Sequence, residues 1–238
     1  MLFGRYDYNP LLNSGSKAVR EVCPNAKVVI HTERAKEKTQ TVNFYNYIAD
    51  VDYDIIGLSY YCFWHGSLST LGGTLDALQS AFPGKEVQIV ETAYYYQYYP
   101  TKDASYVNYT SVWPCTEAGQ QQHIKDLVAE LLKHDNARAL YYWFPEENGN
   151  GGPSWNASTI VIKDWVNRGL WDDNTHKALK GLYELQALRA NDPAALSTVQ
   201  FDAPDAAIYD ICGRRLTGSF ESLRPGIYII NGRKVRKN

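Results

Sequence analysis

Short apolar runs alternate with segments of helical periodicity along most of this chain. The apolar runs are 5 to 8 residues long, within the usual length of strands, and turn or loop residues separate them from the helical segments. The predicted strands are residues 27–31, 54–60, 86–93 and 139–143, and the predicted helices are 11–22, 41–49, 71–82, 118–134 and 174–189. Strands that alternate with helices form parallel βα units, so the pattern predicts an α/β fold.

Each predicted strand is apolar along its body and turns polar or aromatic at its carboxyl end. His31, Ser59, Glu91 and Trp143 stand at these four ends. Barrel strands behave in this way when both faces are buried and the carboxyl end opens into a site. We therefore expect the four side chains to converge on one rim, and four βα units make half of an eight-stranded barrel.

The composition changes after residue 192, where short β segments replace the βα pattern. Residues 206–210 and 226–230 are apolar runs, and Asn231-Gly232 is a strong hairpin signal. The sequence thus predicts a partial barrel over residues 1–192 and a small antiparallel β module over 193–238. The basic ending, 233–237, is compatible with a nucleic-acid patch, but on a small β module a solvated edge that discourages aggregation is the favoured interpretation.

Bulk properties exclude several classes of partner and cofactor. The formal net charge of -2 over 238 residues gives no reason to expect nucleic acid or a membrane surface, and no apolar stretch approaches the roughly 20 residues of a membrane span. The four cysteines contain no C-x-x-C pair, and the loop at 95–114 lacks the acidic ladder of a calcium site. We expect no metal and no cofactor; a disulfide cannot be paired from sequence.

Glu91 is the strongest catalytic candidate. It closes an apolar strand at the end where barrel enzymes place catalytic groups, and a retaining glycosidase needs one ionised carboxylate as nucleophile. The alternative is a strand-end Glu that pairs with a cation. The chain also has 19 Tyr and 6 Trp, which suit stacking on sugar rings but are equally good core residues. Three other strand ends also carry polar or aromatic residues, and this favours a catalytic or binding site.

Two long motifs carry a family resemblance. Residues 54–66, DIIGLSYYCFWHG, and residues 89–94, IVETAY, resemble the signature of family 53 glycoside hydrolases, the arabinogalactan endo-β-1,4-galactanases. The resemblance extends over roughly residues 1–190, with further matches at 13–22, 28–31, 118–120 and 141–143. It implies that the four βα units are strands five to eight of a (β/α)₈ TIM barrel.

The resemblance also implies roles for particular residues. Glu91 would be the nucleophile of a retaining, endo-acting hydrolase of β-1,4-galactan or arabinogalactan. Substrate contacts would come from His31, Ser59, Tyr60, Tyr61, Trp64, His65, Tyr94 and Trp143. For Trp64 and His65, substrate contact and loop packing remain alternatives. Galactose presents an apolar ring face to aromatic groups, while hydroxyl and imidazole groups can orient it by hydrogen bonds.

The chain departs from the family pattern in one important respect. Relatives carry their acid/base Glu in a Gly-Asn-Glu motif a few residues before a Met-Leu pair, and this chain begins at Met1-Leu2. We expect the acid/base Glu to lie before residue 1, so that this chain is a fragment and inactive alone. Cys62 replaces a usual Pro, and Phe144 departs from the usual Trp-Glu-Pro. Glu146 and Glu147 are better explained as solvated loop residues than as a substitute acid.

Other functions and the cellular location stay open at this level. The chain could be a non-catalytic galactan-binding or structural fragment, or part of another retaining barrel glycosidase. Half a barrel exposes sheet edges, so self-association through them is expected. The tail resembles C-terminal modules of bacterial secreted enzymes that serve sorting or surface attachment, which predicts a secreted or cell-surface protein.

Overall fold

The chain divides into two compact units, residues 1–193 and residues 194–238. The computed structural model describes residues 8–97, 107–146, 167–172, 175–190, 208–210, 214–230 and 233–237. None of the described helices is both long and apolar enough to cross a membrane.

The first unit is a four-stranded parallel sheet with helices between its strands. In chain order its elements are α1 (Asn9–Val22), β1 (Val29–Thr32), α2 (Lys38–Tyr47), β2 (Ile55–Ser59), α3 (Cys62–His65), α4 (Leu68–Ala81), β3 (Glu86–Thr92), α5 (Glu117–Leu131), β4 (Ala137–Tyr142), α6 (Gly181–Glu184) and α7 (Gln186–Ala190). The strand order is β1-β2-β3-β4, and all three pairings are parallel. This confirms the predicted α/β class and the four strands.

Burial along the strands follows from their place in the sheet. All five residues of β2 are buried because this strand has a neighbour on each side and helices over it. The outermost strands are more open, and Val29 in β1 keeps 37% of its surface exposed. Leu71, Leu75 and Leu78 of α4 recur at helical spacing and are all buried in the core.

The last predicted helix of the barrel, at residues 174–189, is only partly correct. The structure has two short helices there, α6 and α7, and their first residue is Gly181. Asp172 Oδ1 accepts hydrogen bonds from the Thr175 amide and hydroxyl, both at 2.7 Å. Such local side-chain bonds compete with helix formation, and His176 follows with a positive φ of 55°.

The second unit is a small antiparallel sheet, as predicted. Its strands are β5 (Ile208–Asp210), β6 (Arg215–Leu216), β7 (Gly226–Ile230) and β8 (Arg233–Lys237), in the order β6-β5-β7-β8. The predicted Asn231-Gly232 turn lies outside the described residues, but β7 and β8 pair as antiparallel neighbours. The basic segment is therefore an end strand of this sheet.

Candidate active site

The carboxyl ends of the four barrel strands lie at one edge of the parallel sheet. Ser59 in β2 is the register partner of Glu91 in β3, and the Tyr60 amide donates to the Glu91 carbonyl at 2.8 Å. The Trp143 amide, just after β4, donates to the Thr92 carbonyl at 2.8 Å. Backbone pairing therefore brings these strand ends side by side.

His31 and Ser59 form a polar pair beside Glu91. His31 Nε2 lies 2.8 Å from Ser59 Oγ. The pair depends on Gly57, because a Cβ at that position would lie 2.9 Å from Val29 Cγ1 and 3.3 Å from the His31 Cα. A larger residue at Gly57 would push β1 away and displace His31.

The Glu91 carboxylate has a tyrosine donor. Tyr61 Oη donates to Glu91 Oε2 at 3.1 Å. Burial, and then the charge of Glu91, raise the pKa of Tyr61 far above its usual range, so its hydroxyl remains a proton donor at all ordinary pH values. Tyr61 thus orients one oxygen of a half-buried carboxylate at the rim.

His65 is held as one neutral tautomer. Its Nδ1 accepts the Tyr61 backbone N–H at 2.9 Å, so the proton of the neutral ring is on Nε2. Burial lowers the pKa of His65 to about 4, which keeps the imidazole uncharged near neutral pH. Gly66 then ends α3 with a φ of +86°, a conformation that favours glycine.

Tyr60 and Tyr94, both predicted as substrate contacts, lie instead in the packed interior. Tyr60 is fully buried and its hydroxyl donates to the Gly66 carbonyl at 2.9 Å. Tyr94 is 1% exposed and its hydroxyl donates to the Trp113 carbonyl at 2.6 Å. Both hydroxyls therefore bond to backbone carbonyls within the protein in this structure.

Two tryptophans offer aromatic surface near the carboxylate. Trp143 is 39% exposed, and the Trp64 ring is partly exposed and meets the Tyr61 ring edge-on at 5.2 Å. Broad aromatic faces of this kind suit the apolar face of a sugar. Whether either ring contacts substrate stays a prediction.

A buried polar network beside the site was not predicted. Gln120 in α5 is fully buried, and its Nε2 donates to the Tyr94 carbonyl and the Gly169 carbonyl, both at 2.9 Å. Arg168 is also fully buried. Gln120 lies in the matched motif at 118–120, which is a weak signal. No signal in the sequence pointed to Arg168, because an Arg in a polar loop is expected to be solvated.

The described residues contain no group of three or more His, Cys, Asp or Glu that could hold a metal ion. Cys23, Cys62 and Cys115 carry free thiols. Burial raises the pKa of Cys115 to about 11 and that of Cys62 still further, so both stay protonated. Glu146 is exposed, while Glu147 lies outside the described residues.

The sequence model of glycosyl hydrolase family 53 matches residues 5–185. The chain belongs to this family. The resemblance carried by the motifs at 54–66 and 89–94 is thereby confirmed.

Relatives of this family-53 chain include proteins named as galactanases. The Endo-beta-1,4-galactanase of Bacillus subtilis (strain 168) is 32% identical over 149 residues, which is 57% of this chain and 33% of that protein. A Probable arabinogalactan endo-beta-1,4-galactanase A of Aspergillus fumigatus is 27% identical and covers 66% of this chain and 47% of that protein. The family-53 chain thus spans half or less of the length of these relatives.

Solved structures support the barrel. The Ignisphaera aggregans GH53 catalytic domain matches with a TM-score of 0.62 at 25% identity, over 76% of this chain and 52% of that one. The catalytic core of xylanase A matches with a TM-score of 0.53 at 14% identity, over 78% of this chain and 60% of that one, and shows the fold alone. The predicted partial (β/α)₈ barrel is confirmed.

Proposed function

We propose that the protein to which these residues belong hydrolyses β-1,4-galactosidic bonds within galactan or arabinogalactan, with Glu91 as nucleophile and with retention of anomeric configuration. The observation that carries the proposal is the Tyr61 hydroxyl bonded to Glu91 Oε2 at the carboxyl end of β3. This is the edge of a barrel at which catalytic groups are found. Family membership and the names of the relatives support galactan as substrate.

The reaction has two displacements at the anomeric carbon. Glu91 attacks that carbon and forms a glycosyl ester, while a general acid protonates the departing glycosidic oxygen. The same group then acts as base, takes a proton from water, and the water oxygen displaces Glu91. Tyr61 fixes the direction of the Glu91 carboxylate through both steps.

The general acid is the second part of the proposal. Retaining enzymes place their two carboxyl groups about 5–5.5 Å apart. We propose that the complete protein supplies its acid/base carboxyl at this distance from Glu91. Without that carboxyl, hydrolysis would lose general acid catalysis, which contributes roughly 10²- to 10⁴-fold.

The remaining rim residues supply sugar recognition in this proposal. Trp143 and Trp64 stack against the apolar face of galactose, and His65 Nε2–H donates to a sugar hydroxyl. The His31–Ser59 pair, at 2.8 Å, provides a further donor and acceptor close to Glu91. The pKa of His65 is about 4, so the ring is neutral near pH 7 and its hydrogen bond to the sugar should not change with pH there.

Substitution of Glu91 in the complete protein tests the proposal. Glu91→Gln is expected to lower the rate of galactan hydrolysis by more than about a thousandfold, because the amide is not a nucleophile, while binding of galacto-oligosaccharides is retained. The matched control is Glu86→Gln, on the same strand but exposed at its opposite end, and it should leave the rate unchanged. Substantial turnover by Glu91→Gln would show that another residue is the nucleophile.

Sugar binding without hydrolysis is the second candidate function. It is favoured by the exposed ring of Trp143, which stands at the rim whether or not an acid is present. If this is the function, the complete wild-type protein should bind galacto-oligosaccharides in the same assays but should not hydrolyse galactan. Trp143→Ala should lose that binding. Hydrolysis of another β-linked polysaccharide in preference to galactan would instead indicate a different barrel glycosidase.

We further propose that the protein is secreted or held at the cell surface and that residues 193–238 serve sorting or attachment. The support is an independent small antiparallel sheet at this position together with a polysaccharide substrate that is found outside cells. The catalytic proposal does not depend on this assignment.

A further inference from the structure

Arg168 is a fully buried cation enclosed by aromatic rings. Its guanidinium carbon lies 4.5 Å from the centroid of the Tyr95 ring, 4.7 Å from that of Phe63 and 5.9 Å from that of Trp64. One guanidinium nitrogen also donates to the Tyr95 hydroxyl. An arginine without solvent contact is retained only where such interactions replace its hydration.

The backbone around Arg168 is anchored to three other parts of the barrel. The Arg168 carbonyl accepts from the Tyr142 hydroxyl of β4 at 2.8 Å, and the next carbonyl, that of Gly169, accepts from Gln120 of α5. The Asn167 carbonyl accepts the Tyr96 amide at 2.9 Å, in the segment that follows β3. The position of the guanidinium is therefore set by the scaffold and not by a loose loop.

The aromatic rings around Arg168 belong to the segment that carries proposed substrate contacts. Phe63 and Trp64 lie in α3, directly after Tyr61, and the Trp64 and Tyr61 rings meet edge-on. Tyr61 in turn bonds Glu91. Arg168 thus stands behind a continuous series of contacts that runs from Trp64 through Tyr61 to the carboxylate. It is buried, so it does not touch substrate itself.

We propose that Arg168 is a positioning residue for substrate recognition: by bracing Phe63 and Trp64 it fixes α3, and with it the sugar-stacking face of Trp64, relative to Glu91. This inference rests on the proposed function of the site. In this proposal Arg168, which is not at a strand end, determines how tightly galactan is bound.

A double-mutant cycle in the complete protein tests the coupling. Arg168→Met keeps the length of the side chain but removes the charge, and it should raise KM for galacto-oligosaccharides about tenfold with a smaller change in kcat. Trp64→Ala should have a similar effect. Both substitutions act through one stacking surface, so the KM of the double variant should resemble that of the worse single variant. Independent effects would instead multiply and raise KM about a hundredfold. Arg168→Lys should restore part of the loss, since it keeps the charge but not the planar group.

The control for a merely structural role is Arg20→Met. Arg20 makes ion pairs with Asp52 at 3.0 Å and Asp54 at 2.9 Å, just before β2 begins and away from the rim. Its loss should lower the melting temperature and leave KM unchanged. An Arg168→Met protein that is folded and has wild-type KM and kcat, or fold-changes in KM that multiply with those of Trp64→Ala, would overturn the proposal.

Two further results separate the possible failures. If Arg168→Met does not fold, the cycle is run with Arg168→Lys, and multiplying effects overturn the inference in the same way. The proposed function fails separately, through undiminished hydrolysis by Glu91→Gln, whatever the Arg168 variants do.

Discussion

His123 illustrates how burial controls a single titratable group in this protein. Its ring stacks on Tyr94 at 4.4 Å and meets Trp113 edge-on at 4.8 Å, and neither ring nitrogen has a hydrogen-bond partner among the described residues. Burial lowers the pKa of His123 to about 3. The charged form is therefore strongly disfavoured in the folded protein.

A dependence of stability on pH follows from this shift. The unfolded chain binds the His123 proton near pH 6.5, whereas the folded chain does so only near pH 3, so stability present above pH 6.5 is lost as the pH falls below it. The loss from this group should approach about 1.4 kcal/mol per pH unit. Urea unfolding of wild type and His123→Phe between pH 7 and 4 measures it, and parallel pH profiles of the two proteins would contradict the assignment.

Sequence could locate the candidate site residues only as far as the strand ends. An apolar run ends at or next to each of Glu91, His31 and Ser59, and a run of apolar residues is a local signal that the sequence shows directly. The burial of Tyr60 and Tyr94 is not local, because it depends on packing and on a register shift between Leu58 and Ser59 that no periodicity encodes. The burial of Arg168 depends on rings more than 70 positions away in the chain.

At the level of elements, the start of α5 depends on a close approach between chain segments. A Cβ on Gly119 would lie 1.8 Å from the Pro114 carbonyl oxygen, while a Cβ on Gly73 in α4 would have nothing within 4 Å. Gly119 also donates its amide to the Thr116 hydroxyl that caps the helix. Gly119 therefore has no room for a Cβ, whereas Gly73 has room, and the two helices are of similar length.

Alanine at these two positions should change stability in opposite directions. Gly119→Ala should destabilise the fold by about 1–3 kcal/mol, because the new methyl group forces the Pro114 segment to move. Gly73→Ala should stabilise by about 0.5–1 kcal/mol through helix propensity alone. Chemical denaturation compares them, and equal effects of the two substitutions would show that the approach at Gly119 is not limiting.

Sequence predicted the long elements better than the short ones. The helices α1, α4 and α5 have 14 or 15 residues, which is long enough for their periodicity to be recognised. The four residues of α3 are too few to show a period, although this helix carries Trp64 and His65. Before α6 the backbone bonds elsewhere, because the Asp172 amide donates to the Lys177 carbonyl and the Leu179 amide donates to the Leu170 carbonyl.

At the scale of the whole molecule, β1 and β4 are the outermost strands of the described parallel sheet. Apolar side chains are exposed near these edges and on α1, including Val29 at 37%, Tyr141 at 54%, Leu11 at 70% and Val22 at 81%. The number of strands predicted from sequence indicates a partial barrel. What packs against the outer strands depends on association with another chain or segment, and the hydrophobic pattern of this sequence does not encode that association.

The 238-residue chain by itself is expected to self-associate through these edges. Unpaired backbone groups on an outer strand template pairing with another chain, and a lysine on the edge opposes it. Light scattering during gel filtration should show oligomers or aggregates for the wild-type chain and a lower mass for a Val29→Lys, Tyr141→Lys variant. A monodisperse monomer with one cooperative unfolding transition would contradict this expectation.

Covalent trapping of Glu91 tests the central claim most directly. A 2-deoxy-2-fluoro-galactoside with a dinitrophenyl leaving group needs no proton from an acid, so even a chain without the acid/base Glu should form the glycosyl ester and release it slowly. Peptide mass spectrometry of the treated protein is predicted to find the sugar on the peptide that contains Glu91, and none in Glu91→Gln. Labelling of a different carboxylate, or hydrolysis of galactan by the complete protein with inversion and no adduct, would contradict the account.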